Sequence, residues 1–319
     1  MIQHNNDQHP GMAIQLAGIT LNNPVVLLSG CVGFGEELTH LQGFDFASVG
    51  AICLKGTTLQ PRPGNPTPRV AETPSGMLNA IGLQNPGARH VASVILPRIL
   101  GLPTRLIANI AGSTVEEYAE VARIFNDTDI AAIEINISCP NVKEGGAAFG
   151  SDPIMAARVI QAVRQATSKP LITKLSPNVT DIRVITRAVI EAGSDALSAV
   201  NTFMGMAVDW QTRRPILGNI QGGLSGPAIK PAALLQVWRV HEVAAPLGIP
   251  IIGQGGISNA RDAVEFLLVG ATAVGVGTAL FRTPLVADEI VHGLREYLLA
   301  HQLTHPTQLT GTLQTQRPS

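Results

Sequence analysis

Short apolar runs recur along the chain, and they are apolar at consecutive positions, not at alternate ones. Eight stand out: Val25–Leu28, Ala51–Leu54, Leu106–Asn109, Ile133–Ile137, Leu171–Lys174, Ala196–Val200, Pro250–Gly253 and Ala273–Val276. Each is short and bounded by Gly, Asn or Ser, the pattern of parallel strands buried on both faces. Between several of them lie longer stretches with helical spacing: Thr114–Phe125, Asp152–Thr167, Asp181–Ala192, Pro231–Ala245, Ala260–Val269 and Leu285–His301. The first opens STVEE, the spacing of a capping box.

Eight strand–helix units predict an α/β fold closed into a (β/α)8 TIM barrel, which typically takes about 250 residues. The chain has 319 residues, so a single domain with insertions is expected. The Pro- and Gly-rich segment 57–85 and the segment 203–223 are the expected insertions, and 304–319 is expected to be a frayed tail. An open doubly wound sheet is the alternative, but no GxGxxG follows the first strand.

Composition narrows the function. Charged residues make up 14% and hydrophobic ones 45%, which excludes a disordered chain. A net charge of −1 gives no general attraction to nucleic acid or anionic membrane, and 4% aromatics are too few for a base-stacking surface. Three cysteines with no CxxC and no Cys/His cluster argue against a disulfide scaffold and against a metal site. No apolar run reaches the ~18 residues of a membrane span. The polar N-terminus lacks the features of a signal peptide, so a cytoplasmic location is expected.

In a barrel the chemistry sits at the C-terminal ends of the strands. Here those ends read Ser29-Gly30, Lys55-Gly56, Asn109, Asn136 with Cys139, Lys174, Asn201-Thr202, Gly255-Gly256 and Gly277-Thr278. A lysine inside an apolar run such as PLITK is costly to bury without an anionic partner. The glycine-rich turns after the last two strands, GQGG and GVGT, are where barrels commonly hold a phosphate. That phosphate would belong to a phosphorylated substrate or to a cofactor such as FMN. Asn79, Asn136, Asn141 and Asn201 suit a ligand with alternating N–H and C=O groups.

Cys139 follows the fourth strand and precedes a loop containing Gly145 and Gly146. A thiol in a polar cleft can act as a nucleophile or as a general base. None of the eight histidines falls at a strand end, which favours the base. Cys31 and Cys53 keep the reading of small buried thiols.

Four motifs carry a resemblance to a known family: KGTTLQPRPGNPTPRVAETPSGMLNAIGLQNPG, INISCPNVKEGG, NTFMGMAVDWQTRRPILGNIQGGLSGPAIKP, and IIGQGGI with GVGTALF. Over roughly Ile14 to Leu298 the chain resembles the dihydroorotate dehydrogenases, more narrowly their class 1B, NAD-linked catalytic subunits. The resemblance implies an FMN-binding barrel, with one FMN per chain, that oxidises dihydroorotate to orotate in pyrimidine (UMP) biosynthesis. Cys139 would remove a proton from carbon five while a hydride leaves carbon six for the flavin. Lys55 would touch both substrate and flavin. Asn79, Ala80, Ile81, Gly82, Leu83, Asn136, Asn141, Asn201 and Thr202 match the substrate contacts. Ser29, Gly30, Gly56, Asn109, Asn136, Lys174, Val200, Gly226, Gly255, Gly256, Gly277 and Thr278 match the FMN contacts, and the loop around Gly145 and Gly146 would be a lid. The resemblance also implies a homodimer within a heterotetramer, whose second subunit carries FAD and a 2Fe–2S cluster and passes electrons to NAD. Leu28 and Cys31 depart from the family pattern around the first strand end. A class 1A, fumarate-linked enzyme and a related FMN dihydropyrimidine dehydrogenase are the alternatives.

Overall fold

The computed structural model describes residues 10–138 and 147–316. Eight parallel strands close into a barrel in chain order: β1 (Val25–Leu27), β2 (Ala51–Cys53), β3 (Arg105–Ile110), β4 (Ala132–Asn136), β5 (Leu171–Lys174), β6 (Ala196–Ala199), β7 (Ile251–Gln254) and β8 (Ala273–Val276). Each predicted run supplies one strand, with ends shifted by at most one residue. The register sets Asn109 opposite Glu134 and Asn136 opposite Lys174.

Consecutive apolar positions make sense because each strand buries two faces. Outward side chains pack on helices Val115–Asn126, Pro153–Ala166, Ile182–Glu191, Lys230–Ala244, Ala260–Leu268 and Val286–Ala300. Inward ones form a second, smaller core in which Val26, Ile107, Ile172 and Ile252 alternate with Ala51, Ala132, Ala196 and Ala273. An antiparallel hairpin, Ile14–Leu16 with Ile19–Leu21, closes this core from one end with Ile14, Leu16 and Leu21. Ala17 and Gly18 make its turn with φ of 50° and 80°, the backbone a two-residue hairpin needs.

The helix starts follow their caps. Asp152 and Asp181 accept from backbone N–H groups of the first turn, as Ser/Thr/Asp/Asn caps do. Thr114 accepts from Glu117 N at 3.2 Å, but the Glu117 carboxylate reaches back to Ser113 N, one residue before the cap. The helical stretch 88–99 was not among the sequence expectations. Its apolar spacing is interrupted by Pro97, and the chain passes through a wide turn at Val91–Ile95 just before it. A wider turn accommodates a proline, which has no N–H to donate and crowds the preceding turn.

Segments 57–85 and 203–223 come together in one four-stranded antiparallel sheet, ordered Phe203–Met206, Gln221–Ser225, Gly76–Asn79, Val70–Thr73. Its own small core is Ala71, Leu78, Ala80 and Leu217.

The tail corrects an expectation. Residues 304–313 do not fray: His305 caps a turn at Pro306–Leu309, Leu309 is buried, and Gly311 N and Leu313 N donate to the carbonyls of Leu267 and Leu268. Those carbonyls lie in the last turn of a helix, where the regular ladder ends; Leu267 O also accepts from Gly270 N, and the tail adds a further donor to each. Among the described residues, no helix is long and apolar enough to cross a membrane.

Candidate active site

Above the apolar inner core, the barrel lumen turns polar. Inward positions i and i+2 share a face of a strand, so Cys53, Asn109, Glu134, Lys174, Ser198 and Gln254 follow the core residues toward the C-terminal ends. At the centre is Glu134, 2% exposed. Its Oε2 accepts from Cys53 Sγ at 2.9 Å and from Asn109 Nδ2, and its Oε1 accepts from Ser198 Oγ at 2.7 Å. Lys174 Nζ lies 4.0 Å from Oε2. Burial pushes the Glu134 carboxyl up, but the Lys174 ammonium and the three donors outweigh it, and the group stays below the ordinary carboxylate range. Burial and the facing Glu134 carboxylate both drive the Cys53 thiol well above its ordinary value. It is therefore a proton donor to the carboxylate and no nucleophile.

Glu134 was missed as a site residue in the sequence. The signal was there: one charged residue inside the apolar run AIEIN, on a strand with both faces buried.

At the mouth, Asn136 and Asn201 meet. Asn136 Oδ1 accepts from Ser138 N and Oγ at 3.3 and 3.1 Å, and Asn201 Nδ2 donates to Ser138 Oγ at 2.9 Å. The Asn136 carbonyl is held by Tyr118 OH at 2.8 Å. With its Oδ1 so occupied, Asn136 has its amide N–H to offer a ligand. Ser138, fully buried at the knot of this network, is a second residue the sequence reading passed over. Thr202 lies beside Asn201 and its side chain packs against Gly223, where no β-carbon could fit.

The segment from Asn79 to Leu83 leans over the same mouth. Ala80 N donates to Arg69 O at 2.7 Å, and Asn65 N donates to Ile81 O at 3.0 Å. Gly82 and Leu83 have φ of 75° and 56°, which turns the chain so that Leu83 reaches Gly56. The Lys55 backbone N–H donates to Gly33 O at 2.7 Å, and Ser29 is buried with its N–H on the Cys53 sulfur. Gly30 beside it is exposed.

The predicted phosphate turns also come together. Gly255, Gly256 and Gly226 have φ of 134°, 84° and 93°, and a β-carbon on Gly256 would sit 2.8 Å from Gly226 O. Only glycines let these loops approach so closely. Thr278 Oγ1 donates to Ser225 Oγ at 2.9 Å, joining the β8 turn to the loop before Gly226. Val200 is tied to Gln254 in both directions, N to Gln254 O and O to Gln254 Nε2, each at 3.0 Å.

Two buried acceptors in this layer have no hydrogen-bond partner: Asn109 Oδ1 and Gln254 Oε1. A β-carbon on Gly56 would sit 2.8 Å from Asn109 Oδ1, so the open side of Gly56 faces an unsatisfied carbonyl. A missing side chain beside an orphaned acceptor, with close-packed glycine turns at the same end of the barrel, fits a planar ring carrying N–H donors and a phosphate tail.

Cys31 sits under Gly277, its sulfur 3.2 Å from the β-carbon position of that glycine. Burial pushes its thiol up to about 11, against the pull of Lys174 and Lys55. It is a neutral thiol at the edge of the cradle. Cys139, Asn141 and the Gly145–Gly146 loop lie outside the described residues.

The arrangement is that of a barrel enzyme: eight strands, an inert lower core, and charged and glycine-rich groups gathered at one end. The family model described as dihydroorotate dehydrogenase matches residues 12–298. A protein of Pelobacter propionicus named "Dihydroorotate dehydrogenase B (NAD(+)), catalytic subunit" is 51% identical over 306 residues, 96% of this chain and 99% of its own. A protein of the same name from Geotalea daltonii is 51% identical over 95% of this chain and 98% of its own. A third, from Desulforamulus reducens, is 50% identical over 94% and 97%. The chain belongs to the dihydroorotate dehydrogenase family.

Proposed function

We propose that this chain oxidises dihydroorotate to orotate in pyrimidine biosynthesis, with one bound FMN, and works as the catalytic subunit of an NAD-linked enzyme. The observation that carries the reading is the unpartnered Asn109 carbonyl beside Gly56, in a family member half identical to its relatives over nearly its whole length.

Bound FMN supplies the two-electron acceptor. Gly226, Gly255, Gly256, Gly277 and Thr278 would hold its phosphate, and Ser29, Gly30, Gly56, Asn109 and Val200 would line its ring. Lys174 would bring positive charge to the ring, and Lys55 would contact both substrate and ring. Asn79 to Leu83, Asn136, Asn141, Asn201 and Thr202 hold the substrate's ring and carboxylate. Cys139 removes the proton from carbon five, and a thiol of ordinary pKa ~8.5 needs only modest tuning for that role. The loop around Gly145 and Gly146 acts as the lid that keeps water from the reaction.

The chain works in the cytoplasm, as a homodimer inside a heterotetramer whose other subunit carries FAD and a 2Fe–2S cluster. Six apolar side chains of the second insertion are exposed, Met204, Met206, Val208, Trp210, Ile216 and Ile220, with Trp210 at 81%. So much apolar surface in one segment supports a chain that functions in an assembly.

The test is an anaerobic titration of the purified chain with dihydroorotate. The flavin absorbance bleaches, and neither NAD nor fumarate restores it without a second subunit. Cys139→Ser slows bleaching by ~10² or more at neutral pH with FMN content unchanged, because a hydroxyl is the weaker base. Rapid recovery with fumarate would move the chain to the fumarate-linked class, and no bleaching would sink the substrate.

A further inference from the structure

Glu134 is buried, yet it accepts from Asn109 and faces Lys174, two side chains assigned to the flavin site above. We infer that Glu134 is a positioning residue for the flavin site: it dictates which end of the Asn109 amide faces the bound ring. The inference rests on the FMN reading above.

An asparagine amide has a donor end and an acceptor end, and nothing intrinsic decides which one a ligand meets. An ionised carboxylate accepts and does not donate. Glu134 Oε2 takes the Asn109 Nδ2 end, so Oδ1 turns the other way and is left buried and unpartnered against Gly56. The neighbours leave Glu134 no freedom to be protonated instead. Cys53, Asn109 and Ser198 all donate to it, and the Lys174 ammonium is 4.0 Å away. A protonated carboxyl would have to turn one of these donors around and would lose the attraction of the ammonium. Charge at Glu134 therefore translates into an acceptor at the ring. The flavin ring carries one imide N–H between two carbonyls, and that N–H is the group a lone acceptor selects. A carbonyl presented there instead would leave two acceptors facing each other.

The alternative is that Glu134 only ties the strands together. The two differ in what they do to ligand discrimination. Flavin-free protein is titrated with FMN and with N3-methyl-FMN, which lacks the imide N–H, and binding is followed by flavin fluorescence. The wild-type chain prefers FMN by about tenfold or more. Glu134→Gln, whose own amide can donate and so lets Asn109 turn over, narrows that preference several-fold. Melting of the flavin-free variant reports its folding separately. Should Glu134→Gln fail to fold, Asn109→Leu takes its place and is expected to abolish the preference. A folded Glu134→Gln that keeps the full wild-type preference overturns the inference, as does an Asn109→Leu that keeps it. A wild-type chain that binds neither flavin is a different outcome: it overturns the FMN reading itself.

Discussion

Lys174 keeps a charged side chain 8% exposed in the barrel lumen. Such a charge is tolerable only with a partner, and Glu134 supplies it while its remaining lone pairs are taken by Cys53, Asn109 and Ser198. Removing one member leaves the other uncompensated. Lys174→Ala is therefore expected to destabilise the flavin-free protein by about 3–5 kcal/mol and to lower FMN occupancy, measured by denaturant melts and by flavin-to-protein absorbance. The Lys174→Ala/Glu134→Gln double variant recovers part of the stability but not the occupancy. Recovery of neither would mean that the two side chains are not energetically coupled. At this scale the residue type was readable in the sequence and the partner was not. PLITK announces a lysine that needs an anion, whereas the anion stands forty residues earlier on the neighbouring strand.

The elements repeat that division. Helix starts at Asp152 and Asp181 were legible because a cap acts within one turn of its own chain. The fate of the tail was not, because its partners are carbonyls of a distant helix. His241 lies where the tail, at Gly311, and the turn at Gly270 close on one imidazole ring. Burial holds the His241 imidazole below its ordinary value of 6.5, against an opposing hydrogen bond with Gly270. The folded chain thus takes up its proton less readily than the unfolded chain. The stability this contributes is present above pH 6.5 and is lost as pH falls through the folded value. Melting temperature is expected to fall on the acid side of neutrality, less steeply in His241→Gln than in the wild type. Parallel slopes for the two would remove His241 from the acid response.

Across the whole molecule, the lumen is divided into a dry lower half and a polar upper half. The hairpin Ile14–Leu16 with Ile19–Leu21 seals the lower end with fully buried Leu16. Leu16→Ala is expected to cost about 2–5 kcal/mol while FMN affinity holds near the wild-type value, since Leu16 packs in the inner apolar core. A large loss of FMN affinity in the folded variant would show that the two halves are mechanically linked.

The chain's own pattern was enough for the barrel, its eight strands, the caps and the polar strand ends, because periodicity, capping and strand-end chemistry are local. The glycine turns at 255–256 and 277–278 were legible for the same reason. The closed lumen decided what no local pattern contains. It set Glu134 among Cys53, Asn109, Lys174 and Ser198, which are up to 81 residues away in sequence. It also folded two distant insertions into one sheet and left one carbonyl of Asn109 facing an empty side of Gly56. These are matters of which strands are neighbours and in what register, and a buried carboxylate finds its donors only when the barrel closes.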